Sequence, residues 1–319
     1  MAQNIEQKAS VDRLFAISKA FARSKNGMTM TEKKLCSIYL SKLEWKNLNN
    51  EREIWIDKSE IMEALGSVMD STDQSTYLRK LAQNMVHHSE LHFQGSDRNE
   101  WEDIPLFTRR KSTKNKLMIE LYEGAMPHLQ NLSCDYITLF LADILHFPNT
   151  IEGKRAYKLY EYLRLNSDSR RKECETILTT KKIKELFDIP FTGEGSYVKP
   201  DGKFNRTEFE NKVINPVLRI LAECSHVVLF DFGKNEKGER QLYNKIKKHG
   251  MIEGYELMYS INMTCKKIKP KTIIAMKESP QVAKVAQDIM NGEKKPRKKT
   301  DIEKSDCDFE ELEKRLLAK

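Results

Sequence analysis

One order of elements, helix–strand–helix–helix–strand–strand, can be read twice along this chain, at an offset of roughly 120–140 residues. The reading rests on hydrophobic period, near 3.6 for a helix and 2 for a strand. In the first pass Leu35, Ile38, Tyr39 and Leu43 fall at helical spacing within residues 31–46, behind a Thr29/Glu32 capping box. Ile54, Trp55 and Ile56 form a strand, and a helix at 57–65 stops at Gly66. A second capping-box pair, Ser71 and Gln74, opens a helix at 72–87 with Leu78, Leu81 and Met85 on one face. Strands at 91–93 and 117–122 close the unit.

The second pass runs through a helix at 153–165, a strand at 176–178 and a small helix at 181–187. A Gly-rich loop at 193–202 then leads to a helix at 206–223, a strand at 227–232 and an alternating strand through Tyr255, Leu257, Tyr259, Ile261 and Met263. The repeat lies in element order and not in residue identity. A helix–strand–helix–helix–hairpin unit is the winged-helix arrangement, whose last helix can enter a major groove and whose hairpin is the wing. The fold class expected is therefore α+β, two tandem winged-helix domains over 1–130 and 131–263. A charged tail follows at 264–319, with 15 basic and 10 acidic residues, a basic run at 294–299 and a short terminal helix through Phe309, Leu312, Leu316 and Leu317. The rest of that tail is expected to be mobile.

Composition narrows the function. Charged residues make up 32% and the net charge is +8, so the chain is polar and basic. No window approaches the roughly 20 apolar residues of a membrane span, and residues 1–13 lack the apolar core of a secretory signal. Six cysteines, at 36, 134, 174, 224, 265 and 307, never come closer than 40 residues and form no CxxC pair. That pattern fits buried thiols in a reducing cytoplasm and argues against a structural zinc site.

Positive charge on a helix face is what nucleic acid needs. In the helix at 206–223, Phe209, Val213, Val217 and Ile220 share one side, and Glu208, Asn211, Lys212, Asn215 and Arg219 the other. Asn and Lys on an outward face can reach base edges or phosphates, and Lys203, Asn205 and Arg206 stand at the helix start, where backbone N–H groups favour a phosphate. Thr76, Arg79, Lys80 and Gln83 give the helix at 72–87 a second candidate face. Taken alone, either face reads equally as solvated surface. The connection at 233–254 holds six basic residues, among them Lys234, Lys237, Arg240 and Lys245, against three acidic ones. It reads as a long basic loop suited to phosphate contact, or as an insertion with no partner. Pro216 requires that its helix either kink or end near Val213 and restart.

Catalytic signals are poor. There is no GxxxxGK[ST] loop, Gly193-Glu194-Gly195 lacks a third glycine, and His87, His88 and His92 lack metal-ligand spacing. Tyr157, Tyr160 and Tyr162 fall on a helix as core or interface aromatics. No enzyme activity, cofactor or metal is expected. The alternatives are a winged-helix transcriptional repressor without origin function and a DNA nicking or priming enzyme.

Three segments resemble the theta-type, iteron-binding Rep family of plasmid replication initiators. MTMTEKKL at 28–35 resembles its opening LT-x-x-E-x-x-L, KRAYKLYEYL at 154–163 its S-x-R-LYE-L-L helix, and FENKVINP at 209–216 its F-K-x-x-V-L-x-P segment. The three lie in the family's order and the likeness spans about 11–263. The resemblance implies that the C-terminal domain dominates binding to repeated origin duplex (iterons), while the N-terminal one adds contacts and mediates a homodimer. It implies monomers that open the origin and recruit a host initiator and replicative helicase, and dimers that repress their own promoter. It also places Pro216 within the recognition helix. Glu210 and Asn211 stand where the family carries more basic residues, the 233–254 connection is long for a family wing, and the tail has no counterpart.

Overall fold

A computed structural model describes residues 14–43, 52–66, 71–94, 100–130, 132, 135–167, 173–234, 238, 240–248 and 251–262. The chain separates into two compact units, Met1–Ile273 and Ile274–Lys319. The whole second unit, with the expected tail helix, lies outside the described residues, as do Cys134, Lys237 and Met263.

In the first unit, β1 (Leu14–Ser18) leads into α1 (Lys19–Arg23) and then α2 (Met30–Leu40). The capping box read from the sequence is present: Thr29 N–H donates to Glu32 Oε2 at 2.8 Å and Glu32 N–H to Thr29 Oγ1 at 3.4 Å. The helix is shorter than its periodicity suggests: Ser41 is its C-cap, Leu43 still packs against the core, and residues 44–46 lie outside the described residues. α2 is enclosed on nearly every side, and the Tyr39 hydroxyl donates to the Leu117 carbonyl at 2.9 Å, which fixes the helix to the sheet beneath it.

That sheet has three antiparallel strands in the order β2 (Glu53–Asp57), β6 (Lys116–Leu121) and β5 (Phe107–Ser112). α3 (Lys58–Ala64) and α4 (Ser71–His88) lie between β2 and the hairpin. Gly66, at φ +64°, turns the chain at the end of α3 where a side chain would be strained. Ser71 is already inside α4 and does not precede it. Leu117, Ile119 and Leu121 face the core. Met118, on the opposite face, is 0% exposed because Trp55 and Lys111 flank it across the strands.

The closing strands differ from the expectation. Instead of one hairpin made of 91–93 and 117–122 there are two: β3 (Leu91–Gln94) pairs with β4 (Trp101–Ile104), and β5 pairs with β6. Apart from Ile104 and Phe107, every residue of β4 and β5 is exposed. They bury almost no alternating face, so they leave almost no period to detect.

A 3₁₀ turn (Glu123–His128) and β7 (Tyr136–Phe140), which pairs back onto β1, lead to α5 (Leu141–His146) and α6 (Ile151–Asn166). A Cβ on Gly153 would stand 1.9 Å from the Pro148 carbonyl oxygen, so only glycine lets α6 start this close to the preceding loop. Tyr157 and Tyr160 are core residues of α6, as read. The second set of elements continues with β8 (Cys174–Thr179) and α7 (Thr180–Leu186). α8 (Arg206–Phe209), a π-helical segment (Glu210–Ile214) and α9 (Asn215–Ala222) then run on as one rod. The strands β9 (Val227–Leu229), β10 (Asn244–Lys248) and β11 (Met251–Ile261) complete it. β8 pairs with β11, which also takes β10 and β9 antiparallel. The 233–254 connection is thus no loop. It contains β10, and β10–β11 is a hairpin whose outer strand is too polar to show a period.

The two sets are joined by the β1–β7 pairing and by Lys33, whose ammonium lies 4.6 Å from the Tyr157 ring centroid, and buried contacts also tie β7 and α5 to the loop before β9. His226 Nδ1 lies 3.1 Å from Asp143 Oδ1, both enclosed, the Ser225 N–H donates to the same oxygen at 2.9 Å, and Phe140 stacks on His226 at 3.5 Å. One continuous hydrophobic core runs through both. Cys36, Cys174 and Cys224 are free and buried.

Candidate nucleic-acid interface

The rod at 206–222 is positioned by aromatics. Phe209 is fully enclosed, 5.4 Å from Tyr197 and 5.2 Å from Phe204 between ring centroids. Pro216 neither breaks the rod nor ends it. A proline cannot donate to the carbonyl four residues back and its ring crowds that carbonyl. The helix therefore widens into a π turn, and the Asn215 N–H bonds to the carbonyl of Glu210, five residues back.

The sequence-derived face divides in two. Asn211, Lys212 and Arg219 are exposed on the rod, and Lys203 is exposed just ahead of it. Asn205, Arg206 and Asn215 are half-buried. Asn205 is the N-cap, its side chain accepting from the Glu208 N–H at 3.4 Å and donating to Glu208 Oε2 at 2.7 Å. Arg206 packs over Phe204, 5.5 Å from the ring centroid. Lys212 reaches Glu208 one turn back at 2.7 Å. That hydrogen bond holds the Glu208 carboxyl below its ordinary pKa and raises that of the Lys212 amine. Both stay charged, and Glu208 screens the lysine from a phosphate. Glu208→Gln is therefore expected to tighten duplex binding a few-fold at 0.1 M salt and steepen the salt slope by about one. Unchanged affinity in a titration would show that Lys212 does not meet DNA.

On α4, Thr76, Arg79, Lys80 and Gln83 are all exposed, opposite the buried Leu78, Leu81 and Met85. His88 is held by Glu32 at 3.1 Å and His92 by Asp103 at 2.5 Å, and among the described residues no group of acidic, His and Cys side chains could hold a metal ion.

In the 233–254 stretch, Lys234 and Arg240 pair in an isolated antiparallel bridge. Arg240 Nε donates to both Asp231 oxygens at 2.9 Å. Lys245 is turned inward, its ammonium 2.7 Å from Glu210 Oε2. Glu210 itself is buried, so it leaves the outward face to Asn211 and Lys212.

One feature escaped the sequence reading. Residues 108–116, the end of β5, its turn and the start of β6, are all exposed and carry Arg109, Arg110, Lys111, Lys114 and Lys116 with no acidic residue among them. The turn is tied by the Thr113 N–H to the Lys116 carbonyl at 2.9 Å and the Lys116 N–H to Thr113 Oγ1 at 3.0 Å. Five basic residues in the eight of 109–116 is a charge signal readable without any structure.

Each set of elements thus pairs an exposed polar helix face with an antiparallel hairpin. No described helix is long and apolar enough to cross a membrane.

No curated protein sequence matches the chain. A solved structure of the Pi initiator protein in complex with iteron DNA superposes with a TM-score of 0.58 at 12% identity, over 79% of this chain and 98% of that one, a likeness of fold. Two structures of RctB domains 2 and 3 align at TM-scores of 0.33 and 0.36 with 13% and 14% identity, each over 73% of this chain and 80% and 81% of theirs. The family described as initiator replication protein, WH1, matches residues 15–164. That stretch, from β1 through most of α6, is similar to the initiator replication protein family.

Proposed function

We propose that this protein is a plasmid replication initiator that binds repeated duplex sequences at its origin through two winged-helix modules, over 1–130 and 131–263, without enzymatic chemistry. The observation that carries the reading is the pairing of an exposed polar helix face with a hairpin in both sets of elements, together with the family match over 15–164. The Pi structure, whose protein was crystallised with iteron DNA, supports repeated origin DNA as the ligand. The exposed faces of α4 and of the 206–222 rod are the base-reading elements; Arg109, Arg110, Lys111, Lys234 and Arg240 contact the phosphate backbone. A homodimer that represses its own promoter, and monomers that help open the origin and engage a host initiator and helicase, complete the proposal.

Duplex binding of this kind is strongly electrostatic. About 6–10 phosphate contacts would cost about 10³–10⁵ in affinity between 50 and 200 mM salt. Gel shifts on the origin repeats should show that steepness, and Lys212→Ala and Arg219→Ala should each weaken binding while leaving the circular dichroism spectrum unchanged. A flat salt response, or full affinity in both variants, would refute the assignment.

A further inference from the structure

Glu210 is an acidic residue in the middle of a helix argued to read DNA, 8% exposed. It opens the π-helical segment that Pro216 imposes, and its side chain turns inward while Asn211 and Lys212 stay outside. Its carboxylate has two partners. Lys245 donates to Oε2 at 2.7 Å and the Tyr255 hydroxyl to Oε1 at 3.1 Å. Lys245 and Tyr255 sit directly opposite each other, one on β10 and one on β11. A single carboxylate therefore holds both strands of the hairpin at one rung. Tyr243, 5.3 Å from Tyr255 and edge-on to it, closes the cluster. Burial first and Glu210 second push the Tyr243 hydroxyl up to about 12 and raise that of Tyr255 further, so both remain protonated donors.

Stability alone does not account for this arrangement. A buried ion pair of similar volume is commonly matched or bettered by apolar side chains, and Leu257 and Val217 supply apolar packing close by. What directed hydrogen bonds add is a fixed geometry. The pair also engages the ammonium of the half-buried Lys245, neutralising one cation that would otherwise be offered to a phosphate.

We propose that Glu210 is a positioning residue for duplex recognition: by gripping Lys245 and Tyr255 it locks the β10–β11 hairpin to the 206–222 rod, so that helix and wing meet the duplex as one body. The inference rests on the function proposed above, and it adds that sequence discrimination, more than affinity, depends on this buried carboxylate.

The test uses the full chain and two duplexes of equal length, one carrying the origin repeat and one scrambled, followed by fluorescence anisotropy at 0.1 M salt. Glu210→Gln keeps shape and removes charge. Binding to the repeat is expected to fall about tenfold as the charge-assisted bonds are lost. Binding to the scrambled duplex is expected to rise up to about fivefold as Lys245 is released toward phosphate. Tyr255→Phe removes one hydrogen bond and no charge, and should lower repeat binding about threefold with the scrambled duplex unchanged. If both affinities fall together in Glu210→Gln, the residue merely supports the fold and the proposal is overturned. If both rise together, or neither moves, Glu210 acts only as a charge or not at all, and the proposal is equally overturned. A wild-type protein that fails to discriminate the two duplexes overturns the duplex-binding function itself, a different failure from a variant that keeps wild-type discrimination.

Discussion

Replacing Arg109, Arg110 and Lys111 together by alanine is expected to weaken duplex binding by roughly 10²–10³-fold at 0.1 M salt and to flatten the salt slope by nearly three. All three side chains are exposed on β5. Their local partners are weak. Arg109 stands 3.9 Å from Glu53 at the surface and Lys111 lies 5.8 Å from the Trp55 ring centroid, so neither is held back from a phosphate as Lys245 is. The fold should be unaffected, because exposed ion pairs of this kind contribute about 0–1 kcal/mol. Affinity and slope must change together. Affinity lost at constant slope would mean that these residues act through the protein and not by displacing counterions from DNA.

Phe209→Ala is expected to lower stability by about 3–5 kcal/mol. The ring is 0% exposed and is clasped by Tyr197 and Phe204, so its removal leaves a cavity beneath the first turn of the rod that two large rings cannot readily fill. Urea unfolding followed by circular dichroism reads the change directly. A loss under about 1 kcal/mol would show that the 206–222 rod is held by something other than this cluster. In DNA binding the variant should lose affinity in proportion to its unfolded fraction, which separates it from the surface substitutions above.

The elements that bury a continuous stripe were legible in the residues themselves. α2, α6 and β11 each place core side chains at regular spacing, and Thr29 and Glu32 mark a helix start by chemistry that acts locally. The elements that bury little were not. β4 and β5 project into solvent with one buried residue each, and β10 carries Lys245, Lys247 and Lys248, so a reader of periodicity sees a loop where tertiary pairing makes a strand. Within the candidate interface, Thr76, Arg79, Lys80, Gln83, Asn211, Lys212 and Arg219 could be placed outward because helix faces follow from spacing alone. Glu210 could not. Its inward turn follows from the π segment that Pro216 forces on the helix, and its partners come from strands 35 and 45 residues away. The cationic run at 109–116 was visible as charge, yet without the β5–β6 hairpin nothing marked it as a single exposed edge.

Two winged-helix modules acting on neighbouring grooves of one duplex are tested most directly by hydroxyl-radical footprinting of the purified protein on its own plasmid. Protection is expected over several direct repeats, each repeat showing two protected patches on one side of the helix separated by about one turn, 10–10.5 base pairs. The patch assigned to the β5–β6 hairpin should vanish in the Arg109, Arg110 and Lys111 triple variant while the other persists. A single patch per repeat, or protection spread evenly with no preference for the repeats, would contradict recognition by two modules.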